Sequence, residues 1–364
     1  MDTLSISSHY LNQLSFTSEE LATIRAIGEY RGKQDLYAKQ SPEALENLRT
    51  IAKIESNESS NRIEGIVVSR HRVEEIINHP KALLKDRSEQ EVAGYRDALQ
   101  LIHESAEYMS PLSCNIVLQL HTLICRYSAN PGGRWKPTDN EIIETLPTGE
   151  KHIRFKAVSA VQTPYAMNDW QDAYRDGIQK LDPLIVVPLA ILDFLCIHPF
   201  LDGNGRTSRL LTLLMLYQAD YQIGKYVSLE RVIEQSKETY YEVLQASSLN
   251  WHEGTHDIKP WLHYFWGILI KAYRELEEKV SDIKGGRGSK TEMIRQVVNS
   301  MIGPFSFSNV QAQCPTIGRD MIKLVLADLK SEGKILLQGK GRGARWVNPT
   351  TPPFGIRYTP RKNN

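Results

Sequence analysis

Four cysteines in 364 residues (Cys114, Cys125, Cys196, Cys314), scattered and without a CxxC pair, exclude a disulfide-built scaffold. Their mostly apolar neighbours mark them as reduced core residues. No apolar run reaches the roughly 18 residues of a membrane-crossing helix. The start, MDTLSISSHYLNQLSF, has no basic stretch followed by an apolar one, so no secretory signal and no membrane partner are expected, and the chain is read as cytoplasmic. A bias of charge is missing too, with 44 Lys plus Arg against 43 Asp plus Glu and a net charge of +1. The balance is uneven along the chain: from Gly285 onward there are 13 basic and 4 acidic residues, against 31 and 39 before it. The tail is therefore a basic module.

A hydrophobic content of 41% is enough for substantial cores, and the length suits two or more domains. Two apolar runs, Pro188 to Ile197 (PLAILDFLCI) and Leu210 to Tyr217 (LLTLLMLY), read as buried helices. Between them lies His198 to Arg209, HPFLDGNGRTSR. Gly203 and Gly205 around Asn204 let the backbone turn its N–H groups toward one point ahead of a helix beginning near Gly205. Free amides and a positive helix end favour phosphate, and Arg206 and Arg209, three apart on one helix face, add fixed positive charge. Asp202 offers a hard oxygen suited to Mg²⁺. His198, with Pro199 ending the helix behind it, has a near-neutral ring suited to taking a hydroxyl proton.

This dozen resembles the Fic family, whose motif HPFx(D/E)GNGRxxR it matches at every fixed position. The resemblance implies a mainly α fold, a helical Fic core with a β-hairpin flap, and transfer of AMP from ATP, with Mg²⁺, to a hydroxyl of a target protein or of the chain itself. On the family's pattern His198 is the base and Asp202 the metal ligand. Gly203, Asn204, Gly205, Arg206, Thr207 and Ser208 form the nucleotide loop, Arg209 reaches the outer phosphate, and Phe200 anchors the loop. Two rivals remain: a DNA-binding regulator with a vestigial site, and removal of AMP by the same residues with Glu64 orienting water.

Earlier in the chain, a polar arm leads to a helix capped near Thr17 or Ser18. A second helix starts at Ser41 with Pro42 at its first position and stops at Gly65. Its last turns, Ser60 to Gly65 (SNRIEG), match the inhibitory pattern (S/T)xxxE(G/N) of Fic proteins that carry their inhibitor N-terminally. The implication is that the Glu64 carboxylate pairs with Arg209, occupying the guanidinium meant for the terminal phosphate. Further helices follow from Val73 to Tyr127, with Val92, Tyr95, Leu99 and Ile102 on one buried face and Ile116, Leu120, Leu123 and Ile124 on another.

From Asn130 the prolines, glycines and short β-prone pieces around Pro147-Thr148-Gly149 read as a hairpin. In the family a flap lies here and registers the target segment by strand addition, so residues of about 140–157 are expected to dock the protein substrate. Past the motif, Tyr240 is the residue the resemblance places against adenosine, while Ser248 stands where many relatives have Asn. Two other patterns are set aside. HEGTH (His252 to His256) fits a zinc motif but holds a glycine where a helix is needed, and GKGRGA (Gly339 to Ala344) is followed by no helix to receive a pyrophosphate.

Gly285, Gly286 and Gly288 form a linker. Beyond it three helical stretches, the third with Ile322, Val325, Leu326 and Leu329 inward, precede ILLQ, a basic turn and RWV, an order that resembles a winged helix. Such a module would present Arg319 and Lys323, with Lys340, Arg342 and Arg345 on the wing, to DNA phosphates. The alternative is protein contact or a homodimer. The expected divisions are 1–110 (N-terminal helices with the inhibitor), 111–284 (Fic core), 285–350 (winged helix) and 351–364 (tail).

Overall fold

The computed structural model describes residues 3–40, 42–145, 151–284, 289–301, 304–315, 317–339 and 344–347. The hairpin turn at Pro147-Thr148-Gly149, the glycine linker, Lys340, Arg342 and the 351–364 tail lie outside them. The helices are α1 (Ser8–Leu11), α2 (Ser18–Gln40), α3 (Pro42–Ile63), α4 (Arg70–Asn78), α5 (Arg87–Ser105) and α6 (Cys114–Ile124). The strands β1 (Glu141–Thr145) and β2 (Lys151–Lys156) follow, and then α7 (Thr163–Lys180), α8 (Pro183–Ile197), α9 (Asn204–Gln218), α10 (Leu229–Glu234), α11 (Lys237–Ser248) and α12 (Lys259–Lys284). The last described elements are α13 (Ser289–Ser300), α14 (Phe307–Gln313), α15 (Arg319–Ser331), β3 (Leu336–Gln338) and β4 (Arg345–Val347). The fold is mainly α, with two small antiparallel pairs of strands. It divides into one unit of residues 1–40 and 48–276 and a second of residues 41–47 and 277–364.

The first unit is built around α8. Thirteen of its fifteen residues are buried, as expected of a helix apolar on every side. Its start is fixed by the Asp182 carboxylate, which accepts from Leu184 N at 2.8 Å, with Pro183 in the first turn. Pro188 inside the helix has no N–H to give the carbonyl four residues back, Leu184 O. Trp266 Nε1 donates to that oxygen at 2.8 Å instead. The N-terminal segment, expected to be a polar arm, is in fact inserted: Leu4 and Ile6 are each 1% exposed. The reason is Asp193, a carboxylate buried on α8 that needs donors. Ser5 N, Ser5 Oγ, Ile6 N and Trp251 Nε1 provide them at 2.6–3.1 Å. The first forty residues therefore belong to the same unit as the loop rather than forming a body apart.

The β1–β2 hairpin pairs Glu141 with Lys156 and Ile142 with Phe155, and a bulge follows Ile142. Its second strand is tied to α11 through the Arg154 guanidinium, which donates to Tyr241 O and lies over the Tyr241 ring. HEGTH forms a short turn with its two histidines on different partners: His252 Nε2 is 2.7 Å from Lys156 O, and His256 Nε2 is 2.8 Å from Ser5 Oγ. They do not converge on one point as metal ligands must.

In the second unit α13, α14 and α15 enclose Ile294, Val298, Val310, Ile322, Val325 and Leu329, with β3 and β4 paired after them. Ser306 and Asn309 form a capping box at the start of α14. Arg319, Lys323 and Arg345 are exposed, as are Asp320 and Leu324, so the outer face of α15 carries both signs of charge and an apolar residue.

Candidate active site

Helix α8 ends at His198, whose backbone is left-handed (φ 52°, ψ 60°). The following proline has no N–H for Leu195 O, the carbonyl it would otherwise bond in a continuing helix. His198 Nδ1 takes that oxygen at 3.2 Å. A carbonyl only accepts, so Nδ1 carries the proton and Nε2 keeps its lone pair. Burial pulls the ring down to about 4, helped by the charge of Lys136 and opposed by the Leu195 bond and Glu64. At neutral pH His198 is an uncharged imidazole with its acceptor nitrogen uncommitted by Nδ1.

Phe200 is fully buried and stacks on His121 at 3.6 Å between centroids. It pins the loop, as expected. His121 Nε2 lies 3.1 Å from Asp202 O and its Nδ1 accepts from Gly133 N at 3.0 Å; burial holds this ring down to about 4. Asn204 was expected to touch phosphates, but its amide is committed to the loop itself: Oδ1 accepts from Phe200 N at 2.9 Å and Nδ2 donates to Phe200 O at 2.7 Å. Gly203, at φ 81°, then turns the chain into α9, and no side chain caps that end. Asn204, Gly205, Arg206 and Thr207 make up its first turn, with Ser208 opening the second. The first amides of α9 are thus an open positive helix end.

The arginines expected on one face are both 4% exposed and have separate partners. Arg206 Nη1 donates to Glu91 Oε2 at 2.7 Å, while its Nε has no partner among the described residues. Arg209 is enclosed by the end of α3: Nε donates to Ser60 Oγ at 2.8 Å, and Nη2 to Ser60 O at 2.9 Å and Glu64 Oε1 at 2.8 Å. Ser60 and Glu64 lie one turn apart, so one helix end presents three oxygens to one guanidinium. Gly65, at φ 82°, closes that helix. Asp202 is 69% exposed, with Arg87 Nη2 at 3.3 Å and Arg206 Nη2 at 3.6 Å. It is the more exposed of the two carboxylates beside the helix end, Glu64 being the other, and offers an oxygen suited to Mg²⁺ carried in on phosphates.

Tyr240 is 3% exposed and packs edge-on against Tyr241 and Trp261, so it forms the wall beside Arg209 rather than an open platform. Ser248 turns back on its own helix, donating to Gln245 O at 3.2 Å. Glu91, His121 and Arg87 escaped the sequence reading. Glu91 left a faint signal as an acidic residue beside the buried positions of an otherwise apolar face.

Residues 111–216 match the model of the Fic/DOC family. They are similar to a Fic domain. The chain is 26% identical over 215 residues to "Protein adenylyltransferase Fic" of Nematostella vectensis, a match covering 56% of this chain and 44% of that protein. The protein of the same name from Drosophila grimshawi is 27% identical over 176 residues, covering 48% and 32%. The match thus spans less than half the length of either relative. Among solved structures, a Fic family protein from Desulfovibrio desulfuricans superposes with a TM-score of 0.62 over 94% of this chain and 99% of its own, at 21% identity. Fic-1 from C. elegans gives 0.57 over 74% of each chain, at 19% identity. These likenesses establish the Fic fold around the loop.

Proposed function

We propose that this chain transfers AMP from ATP, with Mg²⁺, to a hydroxyl of a protein, itself included, and that Glu64 restrains the reaction. The observation that carries the reading is the pairing, in one loop, of a neutral His198, its Nε2 left without a partner among the described residues, with the uncapped end of α9. The imidazole removes the hydroxyl proton, the oxygen forms a bond to the α-phosphorus, and the bond to the bridging oxygen breaks as pyrophosphate leaves. The amides of Asn204, Gly205 and Arg206 and the unpartnered Arg206 Nε hold phosphate oxygens, the Thr207 amide being taken by Gly203 O at 2.9 Å. Bound Mg²⁺, held on the protein side by Asp202, supplies charge neutralisation. Glu64 holds the Arg209 guanidinium away from the outer phosphate. The target segment pairs with the β1–β2 hairpin, whose base His252 and Arg154 hold in place.

The test is retention of label from ATP labelled at the α-phosphate. His198→Ala is expected to abolish it while ATP still binds in calorimetry, since the ring takes a proton and holds no phosphate. Equal labelling by variant and parent would overturn the assignment.

A further inference from the structure

Lys136 lies between α6 and β1, 62 positions before the histidine, and is 3% exposed. A buried lysine is normally held by a carboxylate. Here Asp139 acts on the ammonium through its charge, and the hydrogen bonds go to the end of α8 and its neighbour: Nζ donates to Ile197 O at 3.3 Å and to Asn140 Oδ1 at 2.7 Å. Its backbone N–H donates to Pro199 O at 2.8 Å. One residue thus grips the carbonyls on both sides of His198. Asn140 extends the grip, donating through Nδ2 to Phe200 O at 2.8 Å. From 197 to 200 only His198's own carbonyl is left out of this set. Burial pulls the ammonium down to about 8, so the site is costly to maintain with a charge in it.

Three physical facts give this arrangement a purpose. A left-handed backbone at a non-glycine residue is strained and persists only where its surroundings enforce it. The terminal carbonyls of α8 have no helical donors and form the negative end of its dipole, which a cation satisfies twice over. And the tautomer of His198 depends on Nδ1 staying on Leu195 O, which in turn depends on the backbone turn.

We propose that Lys136, with Asn140, is a positioning residue for His198: it clamps the left-handed turn so that Nδ1 stays on Leu195 O and Nε2 faces the reacting hydroxyl. This rests on His198 being the base of the reaction proposed above. Lys136 touches no reacting atom.

The experiment uses the full chain carrying Glu64→Gly, with Lys136→Met, Lys136→Arg or Asn140→Ala added. Lys136→Met is expected to lower the labelling rate about 10- to 100-fold, the usual cost of a small misplacement, while half-saturating ATP changes less than about twofold because the α9 end is untouched. Lys136→Arg keeps the cation and returns most of the rate. Asn140→Ala, which keeps the lysine, loses less and serves if Lys136→Met fails to fold. Nitrogen NMR of the His198 ring reads the clamp without any reaction: one tautomer in the parent, a mixture in Lys136→Met. Unchanged labelling and an unchanged tautomer would overturn the proposal, as would a loss of rate matched by loss of ATP affinity and not restored by arginine. If Glu64→Gly itself labels nothing, the transfer reading fails, and the tautomer measurement still decides the clamp.

Discussion

Arg209 and Glu64, 145 positions apart, meet at 2.8 Å, with Ser60 taking two of the other guanidinium N–H groups. The guanidinium is 4% exposed, and its Nε and Nη2 are both committed to these oxygens. Glu64→Gly is therefore expected to raise self-labelling by at least about tenfold, mostly in turnover, since correct placement of the phosphates is what it restores. Arg209→Ala should not imitate it, and the double variant should behave like Arg209→Ala. Labelling time courses of the four proteins decide the matter; a Glu64→Gly protein no faster than the parent would make this glutamate a plain helix end.

Arg206 and Glu91 are a different kind of pair, both under 7% exposed. Removing one side of a buried ion pair leaves the other charge stranded, at a cost of about 3–5 kcal/mol. Glu91→Ala should lower the melting temperature markedly. Added ATP should recover more stability in this variant than in the parent, because phosphate oxygens replace the lost carboxylate. Calorimetric scans with and without nucleotide measure both effects; equal gains in the two proteins would place Arg206 outside the nucleotide site.

Asp193 gathers Ser5 N, Ser5 Oγ, Ile6 N and Trp251 Nε1. Asp193→Leu fills the space but orphans those donors, each at about 1–3 kcal/mol if it stays buried. The segment before α2 should come loose and become the first site of proteolytic cleavage. A digestion pattern like that of the parent would show that apolar packing of Leu4 and Ile6 suffices to hold it.

Acid should weaken the first unit. Burial holds His121, His198 and His256 down to about 4, against roughly 6.5 in an unfolded chain. Each therefore contributes stability that is full above about pH 6.5 and lost as pH falls through 4, because the unfolded chain takes up the proton first. Asp193, pushed up by burial to about 6, works the other way over the same window: its contribution is full below about 4 and lost as pH rises through 6. His103, lowered by burial to about 3, joins the three rings, against Asp193 and the likewise raised Glu58, so stability is expected to fall as pH drops from 7 to 5. Urea midpoints at pH 7, 6 and 5 measure the slope, and a flat profile would mean the rings are hydrated.

The loop, its flanking helices and the Glu64–Arg209 contact were legible because each is local or carried by a motif. What was not legible depends on partners far along the chain. A stretch such as LSISSHY looks polar until Asp193, nearly 190 positions later, requires its amides. That Arg206 is buried and paired is not visible from its own helix face, because Glu91 lies 115 positions earlier. Lys136 reads as a loop charge, since nothing nearby in sequence shows that the end of α8 will come to lie against it. Tyr240 and Asn204 had the right neighbourhood, but their side chains serve packing and loop closure.

Gly205 sits where any side chain would be in the way: a Cβ there would overlap Glu64 Oε1 and lie 3.3 Å from Arg209 Nη1. The restraining carboxylate and, on the proposed reading, the incoming phosphates lean on the same bare patch of backbone. A substitution at 205 would evict the carboxylate and bar the phosphates in one stroke. Escape from restraint by mutation is thus confined to the α3 side of the contact, and the two states of the site share one geometric requirement that neither can lose without the other.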